Sequence, residues 1–297
     1  MSFKVVNDLI YRGFKALSRR LRDTPLRRIR LVTHLQDRMF QKLHSSGPVC
    51  LLGATFHTDA RDRIARKRLA LYGGGEEYEL HVLLKRLPVG GTFVDVGANF
   101  GLYTVLASRQ VGIQGQVMAF EPDPDNAMLL RRNIGENACG NVRVVQGALS
   151  SGRGVARLYE DPVHRGMLSL ANVRGNHEWI DVTTMTLDES LEESGVRSID
   201  VIKIDVEGAE LPVLEGAKRT LESTSGLEIF MEVNAPFMKR FGYDPLDPLH
   251  LLVGLGYRLY HIDESCGQLK ALSPSSGARL AREHYKEINV FCTRRHA

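Results

Sequence analysis

The chain has 297 residues, of which 43% are hydrophobic and 25% charged, values that are typical of a globular protein with a sizeable core. They exclude a fibrous or disordered chain, and no uninterrupted apolar stretch of about 18 residues predicts a membrane span. The net charge is +4, yet eleven lysines and arginines against three aspartates lie in residues 1–45. The rest of the chain is therefore net acidic, which argues against nucleic acid as a partner.

The basic segment, residues 1–45, has apolar residues every three or four positions from Phe3 to Leu21, and a second such pattern after Pro25. Both patterns predict amphipathic helices. Two interpretations stay open: peripheral contact with an anionic membrane surface, or a helical pair packed on the main domain with a solvated basic face. No signal peptide is recognised, so we expect a cytoplasmic protein that the first interpretation would place at the membrane.

The next segment predicts one short strand over residues 47–56 and two helices separated by Gly73, Gly74 and Gly75. The four cysteines form no C-x-x-C pair, so we expect free thiols rather than a zinc site or a disulfide framework.

From Thr92 onward, short β-rich runs alternate with helical stretches. The predicted strands cover residues 92–97, 116–121, 141–146, 200–205, 227–233, 257–262 and 288–293. The predicted helices cover residues 102–109, 124–137, 209–221 and 248–255. Such alternation predicts an α/β doubly wound, mostly parallel sheet. Between residues 146 and 200, the β-like pieces "GVARLYE" and "EWIDVTTM" predict a hairpin-like elaboration at the edge of the sheet or over its ligand crevice.

The turn after the first of these strands, "DVGANFG", is the first candidate ligand site. A dinucleotide fingerprint, G-x-G-x-x-G counted from Gly97, would place glycine where Asn99 and Leu102 stand. The side chain of Asn99 leaves little room for a diphosphate, so the turn favours a nucleoside without phosphates. The second strand ends in Glu121, whose carboxylate can accept hydrogen bonds from a ribose diol. NAD and S-adenosylmethionine share that ribose, and Asn99 favours the latter.

A third motif, "IDVIKIDVEGAELPVLEGA", ends its strand in Asp205 and opens the next helix with Glu207 and Glu210. Acidic residues in a first helical turn are favoured by the helix dipole, so a structural role for the two glutamates is as well supported as a functional one. Asp205 reaches the edge of the sheet where ligands bind, and we predict it to be a general base. Alternatively, Asp205, Glu232 and Asn234 hold Mg²⁺ as oxygen ligands.

The motifs "DVGANFG", "AFEPDPDN", "VTTMTLDE", "KIDVEGAE" and "IFMEVN", in this order, resemble the FkbM-type family of S-adenosylmethionine-dependent methyltransferases. The resemblance covers about residues 54–290 and implies a class I, Rossmann-like fold of seven strands with the last antiparallel. It also implies O-methylation of a hydroxyl on a sugar, a glycolipid or polysaccharide unit, or a related polyhydroxylated molecule. Residues 1–45 lie outside it, so we expect a helical extension over 1–45 and a methyltransferase domain over 46–297.

The resemblance also implies the cofactor contacts. The turn would surround the methionine part of S-adenosylmethionine, and Glu121 would bind the ribose. Residues 147–149 would contact the adenine, and Tyr78 and Glu79 would close over the cofactor. The predicted cofactor-binding residues are Glu79, Asp95, Gly97, Asn99, Gly101, Thr104, Glu121 and Ala148. Apart from the resemblance, His164, Arg165, Arg174 and His177 lie in the elaboration between residues 146 and 200, where they could supply a base, contact the acceptor, or have only a structural role. Two alternatives remain: a nicotinamide-dependent oxidoreductase of the same architecture, and a non-catalytic, membrane-docking scaffold.

Overall fold

The structure is a computed structural model. It describes residues 47–59, 66, 69, 76–160, 168–170, 179–283 and 287–295. The predicted extension over residues 1–45 lies outside these ranges, as do His164, Arg165, Arg174 and His177. The chain divides into two compact units, Met1–Glu77 and Tyr78–Ala297. Among the described residues, we find no helix with the length and apolar character that crossing a membrane requires.

The helices and strands follow the chain in a largely alternating order. The strands are β1 (Val49–Leu51), β2 (Ala54–Phe56), β3 (Thr92–Val96), β4 (Gln116–Phe120), β5 (Val142–Val145), β6 (Ala148–Leu149), β7 (Gly154–Glu160), β8 (Leu168–Ser169), β9 (Trp179–Met185), β10 (Val201–Ile204), β11 (Glu228–Asn234), β12 (Arg258–Asp263), β13 (Gln268–Leu272) and β14 (Glu287–Thr293). The helices are α1 (Glu77–Arg86), α2 (Leu102–Val111), α3 (Pro124–Glu136), α4 (Leu187–Ser194), α5 (Glu210–Glu215), α6 (Lys218–Ser223), α7 (Ala235–Phe241), α8 (Leu246–Gly254) and α9 (Pro274–Glu283).

In the first unit, β1 and β2 form an antiparallel hairpin with Val49 opposite Phe56. The two turn residues, Leu52 and Gly53, have positive φ angles of 49° and 75°. Two successive residues of this kind make the tight turn whose twist suits a hairpin. The single strand expected over residues 47–56 is therefore two strands, because leucine gives no turn signal of its own.

In the second unit, the main sheet has the strand order β13-β12-β14-β11-β10-β3-β4-β5. The five strands from β11 to β5 run parallel, β14 pairs antiparallel with β11, and β12 pairs antiparallel with β14. This is the doubly wound arrangement that the alternation predicts. The sheet has eight strands rather than seven, since the hairpin of β12 and β13 adds one at the edge.

The position of the site follows from this topology. Strand β3 lies between β4, which follows it in the chain, and β10, which comes much later. The chain thus leaves β3 in one direction and later returns to its other side, and a crevice opens between the carboxyl ends of β3 and β10. Strands β3, β10 and β11 are buried along their whole lengths, which explains their nearly continuous apolar sequences.

The core of the second unit lies against this sheet. Buried side chains of the central strands, such as Val94, Ile202 and Ile229, share one apolar cluster with Val213 of α5 and Leu249 of α8. Helix α3 begins where the sequence predicts, because Asp123 accepts a hydrogen bond from the backbone N–H of Asn126 (2.8 Å) and Pro124 follows it.

The helix expected over residues 209–221 is instead two short helices, α5 and α6, separated at Gly216 and Ala217. A Cβ on Gly216 would lie 2.0 Å from the carbonyl oxygen of Ser150. The two segments therefore approach so closely that only glycine fits, a tertiary contact that periodicity does not report.

The elaboration between β5 and β10 is a four-stranded sheet of its own, with the order β6-β9-β7-β8. Strands β7 and β9 pair antiparallel from Gly154 opposite Thr184 to Tyr159 opposite Trp179, which confirms the predicted hairpin. Leu158 is 3% exposed, whereas Trp179 is 44% exposed. One face of this small sheet therefore packs inward, and the other meets solvent.

Candidate active site

A cleft opens at the carboxyl edge of the parallel strands, between the turns that follow β3, β4 and β10 and residues of the small sheet. Its lining consists of Val96, Gly97, Asn99, Phe120, Glu121, Pro122, Asn126, Gly147, Ala148, Leu149, Leu158, Leu170, Asp205, Val206, Glu207 and Ala209. Of the predicted site residues, the structure brings five together here: Gly97, Asn99, Glu121, Ala148 and Asp205.

The glycine turn after β3 is in direct contact with the end of β10. Gly97 has a φ of 84°, and a Cβ on it would lie 1.9 Å from the backbone oxygen of Asp205. The backbone N–H of Asp205 in turn donates to the carbonyl of Val96 (3.0 Å). Because no side chain fits between the two backbones, glycine is required at this position. The predicted cofactor turn thus abuts the predicted base.

Asn99 shapes the same turn and connects it to the next strand. Its φ is 51°, in the left-handed region that asparagine tolerates better than most residues. Its side-chain Oδ1 accepts from the N–H of Phe100 (2.7 Å), and its own N–H donates to Oε2 of Glu121 (2.7 Å). The residue that interrupts the dinucleotide fingerprint therefore also holds the turn against Glu121.

Glu121 lies at the end of β4 and is 4% exposed. Oε2 accepts from Asn99, and Oε1 accepts from the N–H of Asp123 (2.9 Å). Burial raises the pKa of Glu121 to about 7, although both backbone hydrogen bonds favour the charged form. Each oxygen has further lone-pair capacity, so the carboxylate can bind a diol while the backbone fixes its orientation.

The other end of the cleft is mostly apolar. Gly147 donates its N–H to the carbonyl of Glu121 (3.2 Å), and Ala148 and Leu149 follow it as β6. Leu158 of β7 and Leu170, which follows β8, complete this end. A narrow apolar surface beside a backbone edge is suited to a flat heterocycle.

Four predicted cofactor residues lie outside the cleft lining, and three of them, Asp95, Gly101 and Thr104, belong to the strand, turn and helix around Gly97. Thr104 donates to Oδ2 of Asp95 (2.5 Å), and both side chains are buried. Burial raises the pKa of Asp95 to about 6, against the opposing effects of Thr104 and Lys203. Gly101 precedes α2, where a Cβ would lie 2.4 Å from Leu130. In the structure these residues support the turn, and their contact with a cofactor stays a prediction.

Asp205 is paired with a lysine. The ammonium of Lys203 lies 3.2 Å from Oδ2 of Asp205 and 3.4 Å from Oε1 of Glu79, and 4.6 Å from the centre of the Tyr103 ring. The Lys203 and Glu79 side chains are only 2% and 1% exposed, whereas that of Asp205 is 29% exposed. Glu79 lies outside the cleft lining, so its predicted contact with the cofactor is likewise untested.

Three carboxylates meet beside the cleft, because oxygens of Asp205, Glu207 and Glu232 lie within 4.8 Å of one another. Asn234, the third ligand of the predicted Mg²⁺ site, instead donates its amide to Oε2 of Glu207 (3.0 Å). Burial, followed by repulsion from Asp205, raises the pKa of Glu207 well above its ordinary value. A cation at this position would therefore meet Glu207 in addition to Asp205 and Glu232.

The turn that carries Glu207 is held from several sides. Glu207 has a φ of 51°, and the carbonyl of this residue accepts from Ser169 (2.8 Å). Gly208 donates its N–H to Oε1 of Glu210 (2.9 Å), and its carbonyl accepts from the Tyr243 hydroxyl. Glu210 is fully buried, and burial raises its pKa to about 7. These bonds favour a structural role for Glu210.

Two residues at the site have roles that the sequence did not assign. Lys203 stands in an otherwise apolar strand, and a lone charge in a central strand is the signal that could have directed attention to it. The sequence places Glu207 at the start of a helix, but the helix begins at Glu210 and Glu207 lies in the preceding turn, so its place among the carboxylates follows only from the fold of that turn.

The sequence matches the profile of the methyltransferase FkbM domain over residues 95–259, which is more than half of the chain. Hexuronic acid methyltransferase AglP of Haloferax volcanii is 30% identical over 178 residues, which cover 60% of this chain and 68% of AglP. The 2-O-methyltransferase NoeI of Sinorhizobium fredii is 30% identical over 148 residues, covering 44% of this chain and 59% of NoeI. The chain thus spans less than two thirds of the length of NoeI.

A solved O-methyltransferase from Bacillus cereus in complex with S-adenosylhomocysteine (SAH) shares 12% identity with this chain. The match covers 74% of this chain and 80% of the other, with a TM-score of 0.43, too low to support an inference. The matching profile describes a methyltransferase domain, and both relatives are named methyltransferases. We therefore do not retain the two alternatives, a nicotinamide-dependent oxidoreductase and a non-catalytic scaffold. On the profile match and the topology of its sheet, the chain belongs to the FkbM family and is an S-adenosylmethionine-dependent methyltransferase of the class I fold.

Proposed function

We propose that this enzyme transfers the methyl group of S-adenosylmethionine to a hydroxyl oxygen of a sugar, as a free unit or within a glycan. The observation that carries the proposal is the direct contact between Gly97 and the backbone of Asp205. It brings a partly exposed carboxylate next to the turn expected to hold the methyl donor.

The residues of the cleft fit S-adenosylmethionine. Glu121 has the fixed, buried carboxylate that a ribose diol requires. The turn of Gly97 and Asn99 would hold the methionine part, and Ala148 and Leu149 would border the adenine. Asp95, Gly101 and Thr104 would act by keeping the turn in shape.

The chemistry assigns a separate task to Asp205. Bound S-adenosylmethionine supplies a methyl group activated by its sulfonium. As the acceptor oxygen forms its bond to the methyl carbon and the carbon–sulfur bond breaks, the hydroxyl must lose its proton. A carboxylate within hydrogen-bond reach of that hydroxyl can accept it, and general-base catalysis of this kind typically contributes about 10²–10⁴-fold. The Asp205 side chain is partly exposed and lines the cleft, and its backbone adjoins the donor turn, so we assign it this role.

Metal assistance is a second candidate mechanism, favoured by the proximity of Asp205, Glu207 and Glu232. Three carboxylate oxygens are suitable ligands for Mg²⁺, which would make the acceptor hydroxyl more acidic. Methyl transfer should then stop in excess EDTA and return with added Mg²⁺. Full activity in EDTA would leave Asp205 to act alone.

The sugar acceptor is proposed from two relatives. One is named a hexuronic acid methyltransferase and the other a 2-O-methyltransferase. A hydroxyl-bearing ring next to a carboxylate is consistent with these names.

The experiment that tests the proposal uses S-adenosylmethionine with a labelled methyl group. The acceptor panel contains methyl glycosides of glucose, mannose, fucose, glucuronic acid and N-acetylglucosamine, and the corresponding nucleotide sugars. We expect label in at least one sugar, and mass spectrometry and NMR should locate it on oxygen. Transfer to none of these sugars, or transfer to nitrogen or carbon, would reject the proposed function.

The peripheral membrane contact of residues 1–45 stays a proposal that the described residues do not address. The full chain should bind vesicles of anionic lipid, more weakly as salt is raised. Equal retention on neutral and anionic vesicles would reject this proposal.

A further inference from the structure

Lys203 is a buried cation at the centre of the main sheet. It lies in β10 between β3 and β11, opposite Asp95 on one side and Phe230 on the other. Its side chain is 2% exposed. Removing an ammonium from water is costly unless opposite charges compensate for it, so such a residue is retained only with well-placed partners.

The partners of Lys203 come from different parts of the fold. Glu79 belongs to α1, and Asp205 follows β10 at the edge of the cleft. The ring of Tyr103, from α2, lies beneath the same ammonium, an arrangement that adds a favourable cation–π contact. Asp205 is the one among these four residues that lines the cleft.

Glu79 is itself fixed in place. The backbone N–H groups of Tyr78 and Glu79 donate to the two carboxylate oxygens of Glu264, at 3.0 and 2.7 Å. Glu264 follows β12 directly. The first turn of α1 is thereby tied to the main sheet, and Glu79 presents its carboxylate to Lys203 from a rigid support.

We propose that Lys203 is a positioning residue for Asp205, and that Glu79 supports Lys203 in this role. The ammonium holds Oδ2 of Asp205 and so sets the rotamer of a carboxylate that is otherwise partly in solvent. The second oxygen is then presented to the acceptor hydroxyl in one orientation. This inference rests on the proposed function of Asp205, and it gives Glu79 a task other than the cofactor contact that the sequence suggests.

A charge-neutral double variant separates positioning from stability. Lys203→Met alone leaves Glu79 buried without its cation, so its folding and its activity should both suffer. Lys203→Met combined with Glu79→Gln removes both charges and should recover much of the thermal stability, because neutral replacement of a buried pair is far less costly than removal of one partner. Lys218→Met, at a side chain that is 73% exposed, is the matched control for loss of a lysine.

Activity is measured with the sugar that the wild-type enzyme methylates fastest in the panel above, and cofactor binding by calorimetry with SAH. We expect the double variant to bind SAH within about 3-fold of wild type but to lose at least about 10-fold in kcat, as a displaced catalytic group does. Lys203→Arg, which keeps the charge, should retain more kcat than the double variant. Recovery of wild-type kcat together with stability, or equal losses in Lys203→Arg and the double variant, would overturn the proposal.

A second measurement requires no acceptor. A crystal structure of the Lys203→Met, Glu79→Gln double variant bound to SAH should show the Asp205 carboxylate turned away from its wild-type direction. An unchanged Asp205 would overturn the positioning role. Failure of the proposed function itself is distinguishable, since it would appear as an Asp205→Asn variant with wild-type kcat.

Discussion

Substitution of Gly97 by alanine tests the contact that joins the two halves of the site. The new Cβ would lie 1.9 Å from the backbone oxygen of Asp205, whereas unstrained contacts between heavy atoms lie near 3.5 Å, so the carbonyl must recede by about 1.5 Å. The φ of 84° adds about 1–2 kcal/mol of strain for any residue with a side chain. Misplacement by about 1 Å can cost about 10²-fold in function.

We therefore expect Gly97→Ala to bind SAH about 10²-fold more weakly than wild type, or about 2.7 kcal/mol, measured by calorimetry. Gly195→Ala is the matched control, because Gly195 has a φ of 69° but no atom within 4 Å of its Cβ position. This control carries the conformational strain without the collision, and it should lose about 1 kcal/mol of unfolding free energy while SAH binding stays unchanged. Equal SAH affinities for the two variants would refute the importance of the contact.

Further predictions concern the buried carboxylates. Glu121→Gln should weaken SAH binding about 10²-fold, because an amide cannot accept both backbone hydrogen bonds, and the exposed Glu136→Gln should not. In wild type, SAH affinity should fall as the pH drops below about 7, since a protonated Glu121 can no longer accept hydrogen bonds from both backbone groups and the ribose together. An affinity that stays unchanged between pH 8 and pH 6 would contradict this. For the stability of the ligand-free protein, the expected pH dependence has the opposite direction. Burial raises the folded-state pKa of Asp95 to about 6 and that of Glu210 to about 7. The protonated side chains therefore favour the folded state at low pH, and this contribution to stability is lost as the pH rises through these pKa values. The thermal midpoint of the ligand-free protein should therefore be higher at pH 6 than at pH 8, and Glu210→Gln should reduce the difference; a midpoint that rises with pH would be inconsistent with these pKa shifts.

The sequence predicts where the site lies because the carboxyl ends of neighbouring parallel strands meet at one edge of a sheet. Gly97, Glu121 and Asp205 each end or follow a strand, and the structure brings all three to one cleft. The order of the strands along the chain, together with the right-handed crossover, was sufficient for that prediction.

The direction of individual side chains is harder to predict. Asp95 begins the motif that contains Gly97, and Thr104 follows that motif by three residues, yet the two bond to each other outside the cleft lining. Glu79 is far from Lys203 in sequence, and nothing in the local pattern links them. Such pairings depend on how α1 and α2 pack on the sheet, which periodicity does not determine.

The irregular parts of the fold have a similar explanation. Strand β13, with the sequence QLKAL, is short and has no buried residue, so it lacks the continuous apolar run of the central strands. The break between α5 and α6 lies at Gly216, where the backbone of Ser150 approaches too closely for a side chain. Both features arise from contacts between distant segments rather than from local propensity.

The most direct test of the proposed mechanism is the turnover of Asp205→Asn. The variant keeps the shape of the side chain but cannot take up the acceptor's proton, and Asp181→Asn on the exposed face of β9 serves as the control. With labelled S-adenosylmethionine and the best sugar acceptor, we predict that kcat for Asp205→Asn falls by about 10²–10⁴-fold while SAH affinity stays close to that of wild type. A wild-type kcat in Asp205→Asn would contradict the assignment of Asp205 as the general base.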